Sequence, residues 1–252
     1  MNVTKAKLAA GEVAVGGWIM TADATVAELM AGEAFDWICV DMEHTAAGYA
    51  ALEDICRAVK ASGKEVFARL QGHDEVMAKK VLDIGCEGII VPCVNTRAEA
   101  EHAVAMAKYP PAGIRGASLA RCTDYGRDFT RYFTEHNDDV LVAVMLEHVD
   151  TVRNVDEILS VEGIDAMFIG PYDLSASMNL AGQLDHPEVR AAQEQLLAGC
   201  RRHGVAPGLH VVPTEPERVR SSVESGFRFV ALGLDTRFII DGCRRMLEGV
   251  PR

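Results

Sequence analysis

Long apolar runs and an excess of basic residues are both missing from this sequence. No stretch approaches the roughly 20 apolar residues that a membrane-spanning helix needs. Charges interrupt the N-terminus up to Glu12, which argues against a signal peptide. The chain has 25 Lys and Arg against 37 Asp and Glu, a formal net charge of −12. This balance argues against nucleic acid and anionic membranes as partners, because both are bound through basic side chains.

Cysteine pairs with metal-binding or redox spacing are also missing. The seven cysteines are odd in number, and no two of them form a Cys-x-x-Cys motif. Most stand among aliphatic residues, as Cys39 does between Ile38 and Val40, which is typical of buried reduced thiols. We therefore expect a soluble, acidic protein of the cytoplasm.

The sequence does have enough apolar material for a large core. Its 252 residues are 49% hydrophobic, which excludes intrinsic disorder. At roughly 150 residues per domain, the length alone leaves one large domain or two small ones open. No Pro- or Ser-rich linker and no shift in composition divides the chain, so we expect a single domain over residues 1–252.

Eight short apolar runs recur along the chain, and several of them are almost continuously aliphatic. Such runs suit parallel strands buried on both faces better than half-exposed antiparallel strands. The predicted strands are residues 13–20, 37–43, 65–70, 88–94, 141–147, 164–170, 206–212 and 229–235.

A stretch with helical spacing follows each run, and glycine often closes it. The predicted helices are residues 25–31, 47–62, 75–84, 97–108, 150–160, 187–203, 215–225 and 236–247. This alternation predicts a parallel sheet with right-handed crossovers. Residues 21–24, after the first strand, lack the glycine-rich turn of a dinucleotide-binding fold. The number of strand–helix units therefore predicts an α/β protein with a closed (β/α)8 TIM barrel.

One interval breaks this rhythm, between the helix that ends near Lys108 and the strand that begins at Leu141. Structureless loops of about thirty residues are uncommon and usually have a function or a partial structure of their own. Its arginines would cover a substrate, contribute to a neighbouring subunit's site, or lie in solvent. They are Arg121, Arg127 and Arg131, whereas Arg115, which stands in the motif that begins Tyr-Pro-Pro, is expected to hold this segment over the barrel.

Polar residues gather where the predicted strands end. In a (β/α)8 barrel the active site lies at the carboxyl ends of the strands and in the loops that follow. Nearly every predicted strand of this sequence brings a charged or hydrogen-bonding group to that rim. These groups are Asp41, Glu43, His44, Arg69, Glu147, His148, Tyr172, Asp173, Ser175, His210 and Asp235.

Two carboxylates from neighbouring strands, Glu147 and Asp173, would converge at the mouth of the barrel. Oxygen ligands with open positions beside them suit Mg²⁺ or Mn²⁺, although an ion pair with a nearby Arg or Lys would explain the same residues. Arg69 follows a buried strand and must find an anion or an oxygen, because an unpaired buried charge is unfavourable. It would pair with Asp41 or Glu43, or hold a developing enolate oxygen.

Four segments carry a resemblance to a known family, and the resemblance covers nearly the whole chain. They are residues 35–44, which end in Asp-Met-Glu-His; residues 109–116, Tyr-Pro-Pro-Ala-Gly-Ile-Arg-Gly; residues 168–175, Phe-Ile-Gly-Pro-Tyr-Asp-Leu-Ser; and residues 231–236. The sequence resembles the class II, metal-dependent pyruvate aldolases of the HpcH/HpaI family. The resemblance implies a barrel of the phosphoenolpyruvate/pyruvate-binding type.

The resemblance also implies a divalent metal ion, Mg²⁺, Mn²⁺ or Co²⁺, held by Glu147 and Asp173. A 2-oxo acid such as pyruvate would chelate this ion, with its carboxylate held by backbone N–H groups near Tyr172 and Asp173. The turn at Gly170 and Pro171 lets the backbone approach so small a carboxylate closely.

The catalytic side chains are implied in the same way. Arg69 would stabilise the enolate as charge develops, and His44 would be the general base, directly or through a water. By itself, His44 is only a half-exposed loop histidine. Asp83 matches the residue that orients this histidine, although by itself it would be a solvated helix end. No Lys stands at the strand ends, which favours a metal route over an imine route.

Two positions depart from the family pattern. Many members carry Gln two residues before the metal-binding glutamate, whereas this chain has Met145. After the seventh strand many members carry an aliphatic residue, whereas this chain has His210. His210 would contact a polar or acidic acceptor aldehyde, or would simply pack at the rim.

The resemblance therefore predicts a lyase that reversibly cleaves a 4-hydroxy-2-oxo acid to pyruvate and an aldehyde. Three alternatives keep the same site: a condensing enzyme, an oxaloacetate decarboxylase, and a catalytically silent barrel that binds an oxo acid. The family also implies a homo-oligomer, a trimer or a hexamer, in which barrels exchange C-terminal helices.

Overall fold

Eight parallel strands close into a barrel in chain order, because β1 pairs with β8 as well as with β2. The computed structural model describes residues 1–213 and 215–250. The strands are β1 (Ala14–Ile19), β2 (Trp37–Asp41), β3 (Glu65–Arg69), β4 (Gly88–Val91), β5 (Leu141–Leu146), β6 (Ala166–Ile169), β7 (Ala206–Val211) and β8 (Phe229–Leu232). The predicted (β/α)8 barrel is confirmed, and each strand lies within the corresponding predicted run.

Helices alternate with these strands. They are α1 (Val3–Ala9), α2 (Ala24–Ala31), α3 (Tyr49–Ala61), α4 (Glu75–Ile84), α5 (Arg97–Ala107), α6 (Phe129–Asp139), α7 (Val149–Leu159), α8 (Pro171–Ser177), α9 (Pro187–His203), α10 (Pro216–Glu224) and α11 (Asp235–Glu248). Periodicity predicted the bounds of α9 to the residue, since His186 caps its start and Gly204 ends it with a left-handed φ of 68°. The prediction omitted α1, α6 and α8, of which α6 is mostly polar and the other two are single short helices of seven residues. Within the described residues, no helix has the length and apolar character needed to cross a membrane.

Aromatic side chains fill the interior of the barrel. Trp37, Phe168 and Phe229 are each at most 1% exposed. The ring centroid of Phe229 lies 4.5 Å from that of Trp37 and 4.9 Å from that of Phe168. A larger apolar layer packs between the strands and the surrounding helices. The barrel is therefore a solid core, and its functional groups lie at its rim.

A buried carboxylate joins the last strand of the barrel to the first. Asp235 is 1% exposed and begins α11, close after β8. Its oxygens accept hydrogen bonds from the backbone N–H groups of Met20 and Thr21, each at 2.9 Å, and from the Thr21 hydroxyl at 2.6 Å. Because Met20 and Thr21 directly follow β1, these bonds tie the last strand to the first.

The segment of residues 109–139 has the partial structure that its length predicted, a short 3-10 helix (Arg121–Thr123) and α6. The fully buried side chain of Arg115 fastens this segment to α4. Its Nη2 donates to Oδ1 of Asp83 at 2.8 Å, and its Nη1 lies 2.7 Å from Nε2 of His136. Burial, and then the charge of Arg115, lower the pKa of His136 to about 3, so this imidazole is neutral.

Candidate active site

A cavity of about 220 Å³ lies at the carboxyl ends of β2 to β6. The end of each of these strands, or the segment that follows it, contributes at least one side chain. The lining residues are Glu43, His44, Arg69, Cys93, Asn95, Glu147, His148 and Asp173. The structure thus brings four of the sequence-predicted site residues together, namely His44, Arg69, Glu147 and Asp173.

Arg69 lies at the centre of a set of carboxylates. The pairing of β2 with β3 sets Asp41 opposite Arg69, and Oδ2 of Asp41 lies 3.4 Å from Nη1 of the guanidinium. Nη2 lies 2.5 Å from Oε2 of Glu43, an ion pair whose angles are not those of a hydrogen bond. Both predicted partners of Arg69 are therefore present together. Burial raises the pKa of Glu43, and the charge of Arg69 opposes this rise.

Asp41 fixes the turn that carries two of the cavity residues. Its Oδ1 accepts hydrogen bonds from the backbone N–H groups of Glu43 at 3.0 Å and His44 at 2.8 Å. Its Oδ2 accepts a hydrogen bond from Nε1 of Trp18 at 2.9 Å. The backbone of the turn is thus held against β1 and β2, whereas the His44 side chain is 60% exposed and lies with Nε2 3.7 Å from Glu43.

The two carboxylate oxygens of Glu147 have different surroundings. The residue is only 5% exposed. Its Oε1 accepts a hydrogen bond from the backbone N–H of Cys93 at 2.9 Å and lies 3.3 Å from the Cys93 thiol. Its Oε2 has no hydrogen-bond partner among the described residues, and Nη2 of Arg69 is 3.9 Å away. A buried carboxylate oxygen without a partner is unfavourable unless a ligand satisfies it.

Gly170 lies directly against this carboxylate. A Cβ atom at this position would be 2.6 Å from Oε2 and 2.7 Å from Cβ of Glu147, closer than any side chain tolerates. The backbone conformation of Gly170, with φ of −94°, is open to other residues. Glycine is therefore required at position 170 by the close approach of Glu147 and not by backbone strain.

The cavity fits a hard divalent cation. The carboxylates of Asp41, Glu43, Glu147 and Asp173 lie at or beside it, against the single guanidinium of Arg69. Oxygen ligands of this kind are preferred by Mg²⁺ and Mn²⁺. Among the described residues no group of three or more His, Cys, Asp or Glu side chains is placed to hold a metal ion. The predicted pair of carboxylate ligands, Glu147 and Asp173, both line this cavity.

Among the described residues of this chain, Asp83 makes no contact with His44. Its carboxylate accepts the hydrogen bond from the buried Arg115 instead, and it lines a separate cavity with Tyr49 and Lys80. The orienting contact implied by the resemblance is therefore not made among the described residues of this chain, where Oδ1 of Asp83 pairs with Arg115. The charged neighbour that the structure gives His44 is Glu43.

His210 does not line the 220 Å³ cavity, and it lies on the other side of the first turn of α8. It lines a second cavity of about 420 Å³ together with Pro171 and Tyr172. Its ring stacks on Trp18 at 4.7 Å, and its Nε2 lies 2.6 Å from the carbonyl oxygen of Gly233. Burial lowers the pKa of His210. His210 is therefore packed at the rim, as one of the two predicted alternatives has it, and it also borders this cavity.

Two features at the site were not fully predicted from the sequence. Cys93 was not singled out from the other cysteines in the sequence, but it is exposed to the cavity beside Glu147. Its position shortly after β4 was the signal that could have identified it. Burial, and then the charge of Glu147, raise the pKa of Cys93 to about 12. Met145, which stands two residues before Glu147, is 7% exposed and packs in the barrel interior, so it adds no polar group.

Comparisons with known proteins agree with this architecture. A family model described as HpcH/HpaI aldolase/citrate lyase matches residues 15–242. A 4-hydroxy-2-oxo-heptane-1,7-dioate aldolase from Shigella sonnei is 38% identical over 240 residues, which cover 94% of this chain and 90% of that protein. A solved HpcH/HpaI aldolase/citrate lyase family protein from Burkholderia cenocepacia has a TM-score of 0.93 at 29% identity, covering 98% of both chains. A solved citrate synthase has a TM-score of 0.86 at 27% identity, covering 97% of this chain and 95% of that one.

The fold and the cavity define a (β/α)8-barrel protein with an acidic site at the carboxyl ends of its strands. The family match begins within β1 and ends within α11, so it includes every residue that lines the 220 Å³ cavity. The chain belongs to the HpcH/HpaI aldolase/citrate lyase family. The resemblance predicted from the sequence motifs is thus confirmed.

Proposed function

We propose that this chain is a metal-dependent aldolase, which reversibly cleaves a 4-hydroxy-2-oxo acid to pyruvate, or a near analogue, and an aldehyde. The observation that carries the proposal is the buried Oε2 of Glu147, which has no hydrogen-bond partner among the described residues and lies near the Arg69 guanidinium. The identity of 38% with a 4-hydroxy-2-oxo-heptane-1,7-dioate aldolase supports the reaction type.

Glu147 and Asp173 would hold the divalent ion, which is Mg²⁺, Mn²⁺ or Co²⁺ in this proposal. When bound, such an ion supplies Lewis-acid chemistry that withdraws electron density from a substrate ketone. The excess of carboxylates over guanidinium groups around the cavity supports the binding of a cation.

Arg69 would stabilise the enolate oxygen of the substrate. Cleavage between C3 and C4 leaves an electron pair on C3, and the adjacent ketone oxygen receives the charge. Asp41 and Glu43 hold the guanidinium in place beforehand, so little reorganisation is needed as the charge develops. A side chain that is only 10% exposed acts with little screening by water.

His44 would accept the proton of the C4 hydroxyl, directly or through a water. Asp41 fixes its backbone while its imidazole stays open to the cavity. The backbone N–H groups of Tyr172 and Asp173, in the first turn of α8, would bind the carboxylate of the substrate. Gly170 supports this assignment, because it lets the start of α8 approach Glu147 closely.

The second cavity would receive the rest of the acceptor aldehyde. Pro171 and Tyr172 line it, while Asp173 in the same turn lines the cavity of the proposed metal site. His210 would contact a polar group of the aldehyde. Its neutral ring presents a hydrogen-bonding edge next to the apolar face that stacks on Trp18.

We also propose that the chain forms a trimer or a hexamer through α11. Within one chain α11 buries only Asp235. Large apolar side chains on this helix are exposed, namely Phe238, Ile239, Ile240, Met246 and Leu247. Exchange of α11 between barrels would cover them. The free thiols of all seven cysteines support the cytoplasmic location predicted from the sequence.

Pyruvate release from racemic 4-hydroxy-2-oxo acids tests the reaction. We expect activity to disappear with EDTA and to return with Mg²⁺, Mn²⁺ or Co²⁺. Activity that is unchanged by chelation would exclude the metal route. Oxo-acid binding without turnover under every metal would indicate the catalytically silent barrel, and loss of CO₂ from oxaloacetate would indicate the decarboxylase.

A condensing enzyme is the second candidate, and the likeness to a solved citrate synthase supports it. The same enolate would then attack a different electrophile. Incubation of pyruvate with a series of aldehydes and oxo acids, followed by product identification, separates the two candidates. An aldolase would also cleave the condensation product back to pyruvate and the same aldehyde, whereas an enzyme that acts only in condensation would not.

A further inference from the structure

Cys93 makes two contacts with the same oxygen of Glu147. Its backbone N–H donates to Oε1 at 2.9 Å, and its thiol lies 3.3 Å from Oε1 and is placed to donate to it. The other oxygen, Oε2, is buried and accepts no hydrogen bond from the part of the chain that the structure describes. One oxygen of this carboxylate is therefore occupied by protein donors and the other is left for a ligand.

The backbone around Cys93 is held so that both donors reach Glu147. Cys93 has a φ of 52°, a left-handed conformation that is uncommon outside glycine. The N–H of Val94 donates to the carbonyl oxygen of Met145 at 3.1 Å, which anchors the turn to β5. Nδ2 of Asn95 donates to the carbonyl oxygen of Cys93 at 3.0 Å. Unusual backbone conformations of this kind persist where neighbouring contacts enforce them.

We infer that Cys93 is a positioning residue, which fixes Glu147 so that only Oε2 is available to a divalent cation. This inference rests on the proposed function. Hydrogen bonds to a metal-binding carboxylate set its orientation, and their loss weakens metal binding. With Oε1 occupied, Glu147 binds through one oxygen and leaves the remaining coordination positions to water and to a 2-oxo acid.

In this role the Cys93 thiol contacts Glu147, the proposed ligand of the metal, and does not contact the metal ion itself. An ordinary thiol is protonated at neutral pH and donates a weak hydrogen bond. Glu147 has a side-chain exposure of 4% and little room to rotate, since Gly170 packs against its Oε2 and Cβ. The thiol therefore supplies the last constraint on a carboxylate that is already confined on its other side.

Titration calorimetry with Mn²⁺ tests this role in the full chain. We expect Cys93→Ala to raise the Kd for Mn²⁺ about threefold to tenfold, the effect of one lost hydrogen bond. Cys93→Ser keeps a donor at the same place and should stay within roughly twofold of the native Kd. Cys243→Ala removes an exposed thiol on α11 and should leave the Kd unchanged. Native affinity in Cys93→Ala, or equal weakening in Cys93→Ala and Cys93→Ser, would overturn the inference.

Infrared spectra of the metal-free protein provide a second measurement. The S–H stretching band of Cys93 is isolated by subtracting the spectrum of Cys93→Ser. We expect this band at a lower frequency in the native background than in a Glu147→Ala background, because a hydrogen bond weakens the S–H bond. Normal Mn²⁺ binding with an unshifted band would overturn the inference alone, whereas no Mn²⁺ binding by the native protein would contradict the proposed function as well.

Discussion

Asp41 and Arg69 lie opposite each other at the ends of β2 and β3, and Oδ2 of Asp41 comes within 3.4 Å of Nη1 of Arg69. The same oxygen accepts the indole N–H of Trp18 at 2.9 Å, so Asp41 is itself fixed by β1. Three consecutive strands therefore determine where the guanidinium points. A positive charge held this firmly is suited to stabilise an oxygen that becomes negative during a reaction.

Replacement of Arg69 by Lys should lower kcat about 10²- to 10³-fold, the usual effect of losing one preorganised donor to an oxyanion. An ammonium group cannot contact Asp41 and Glu43 through a planar fork and also face the substrate. Pyruvate release at saturating Mn²⁺ measures this effect. Arg97→Lys, on the surface of α5, is the matched control and should keep native kcat. Native kcat in Arg69→Lys would exclude the proposed role.

Removal of either proposed ligand should abolish tight metal binding. Glu147→Gln and Asp173→Asn each keep the shape of the side chain but remove its charge, and we expect the Kd for Mn²⁺ to rise by at least about a hundredfold. Titration calorimetry on each variant provides the measurement. Glu101→Gln, on the exposed face of α5, should bind as the native chain does. One tight site that persists in Glu147→Gln would show that the ligands are elsewhere.

Gly170→Ala should weaken metal binding and leave the fold unchanged. The new Cβ atom would lie 2.6 Å from Oε2 of Glu147, so the carboxylate has to move away from its position on the cavity. We expect weaker Mn²⁺ binding and lower kcat with an unchanged far-ultraviolet circular dichroism spectrum. Gly72→Ala places a methyl group in open space and serves as the control. The explanation by close approach fails if Gly170→Ala binds Mn²⁺ normally.

His136 should make the protein less stable in mild acid. Its pKa is about 3 in the folded chain against 6.5 ordinarily, so its contribution to stability is fully present above pH 6.5 and is lost as the pH falls from 6.5 towards 3. Between pH 7 and pH 5 this group alone should remove about 2 kcal/mol from the free energy of unfolding. Urea unfolding at the two pH values provides the measurement. His136→Gln, which does not titrate, should lose less stability over the same interval, and an equal loss would contradict the assignment.

A charge on α11 should disrupt the proposed oligomer. Ile240 is 44% exposed within one chain, and Ile240→Glu would place a carboxylate in the surface that we expect to be covered by another copy. Light scattering after size-exclusion chromatography should show a trimer or a hexamer for the native chain and a smaller species for the variant. Leu29→Glu, at a site 70% exposed on α2, is the control. A monomeric native protein would refute the proposed assembly.

Most of the fold could be predicted because most strands are buried on both faces and therefore read as nearly continuous apolar runs. β2 and β5 are buried at every position, and both fall inside predicted runs. The missed helix α6 has the opposite character, since His136 is its single buried residue and its sequence is mostly polar. Its position depends on Arg115, a contact distant in sequence that periodicity cannot reveal.

The candidate site was predictable where a residue type and a strand end coincide. Arg69, Glu147 and Asp173 were identified in this way, and the structure brings all three to one cavity. Asp83 came from the resemblance alone, and its carboxylate is paired with Arg115 within the chain. Cys93 was overlooked because a thiol among aliphatic residues gives no local sign that its backbone is left-handed and turned towards Glu147.

The bonds from Asp235 to the residues after β1 have a consequence for how this protein is made. His44, Arg69, Glu147 and Asp173 all leave the ribosome before Asp235 does. A nascent chain thus contains every proposed reactive group before β8 is available to pair with β1. Because β8 is the last strand of the barrel to be translated, β1 and β8 can pair, and the barrel can close, only after all the proposed reactive residues have been made.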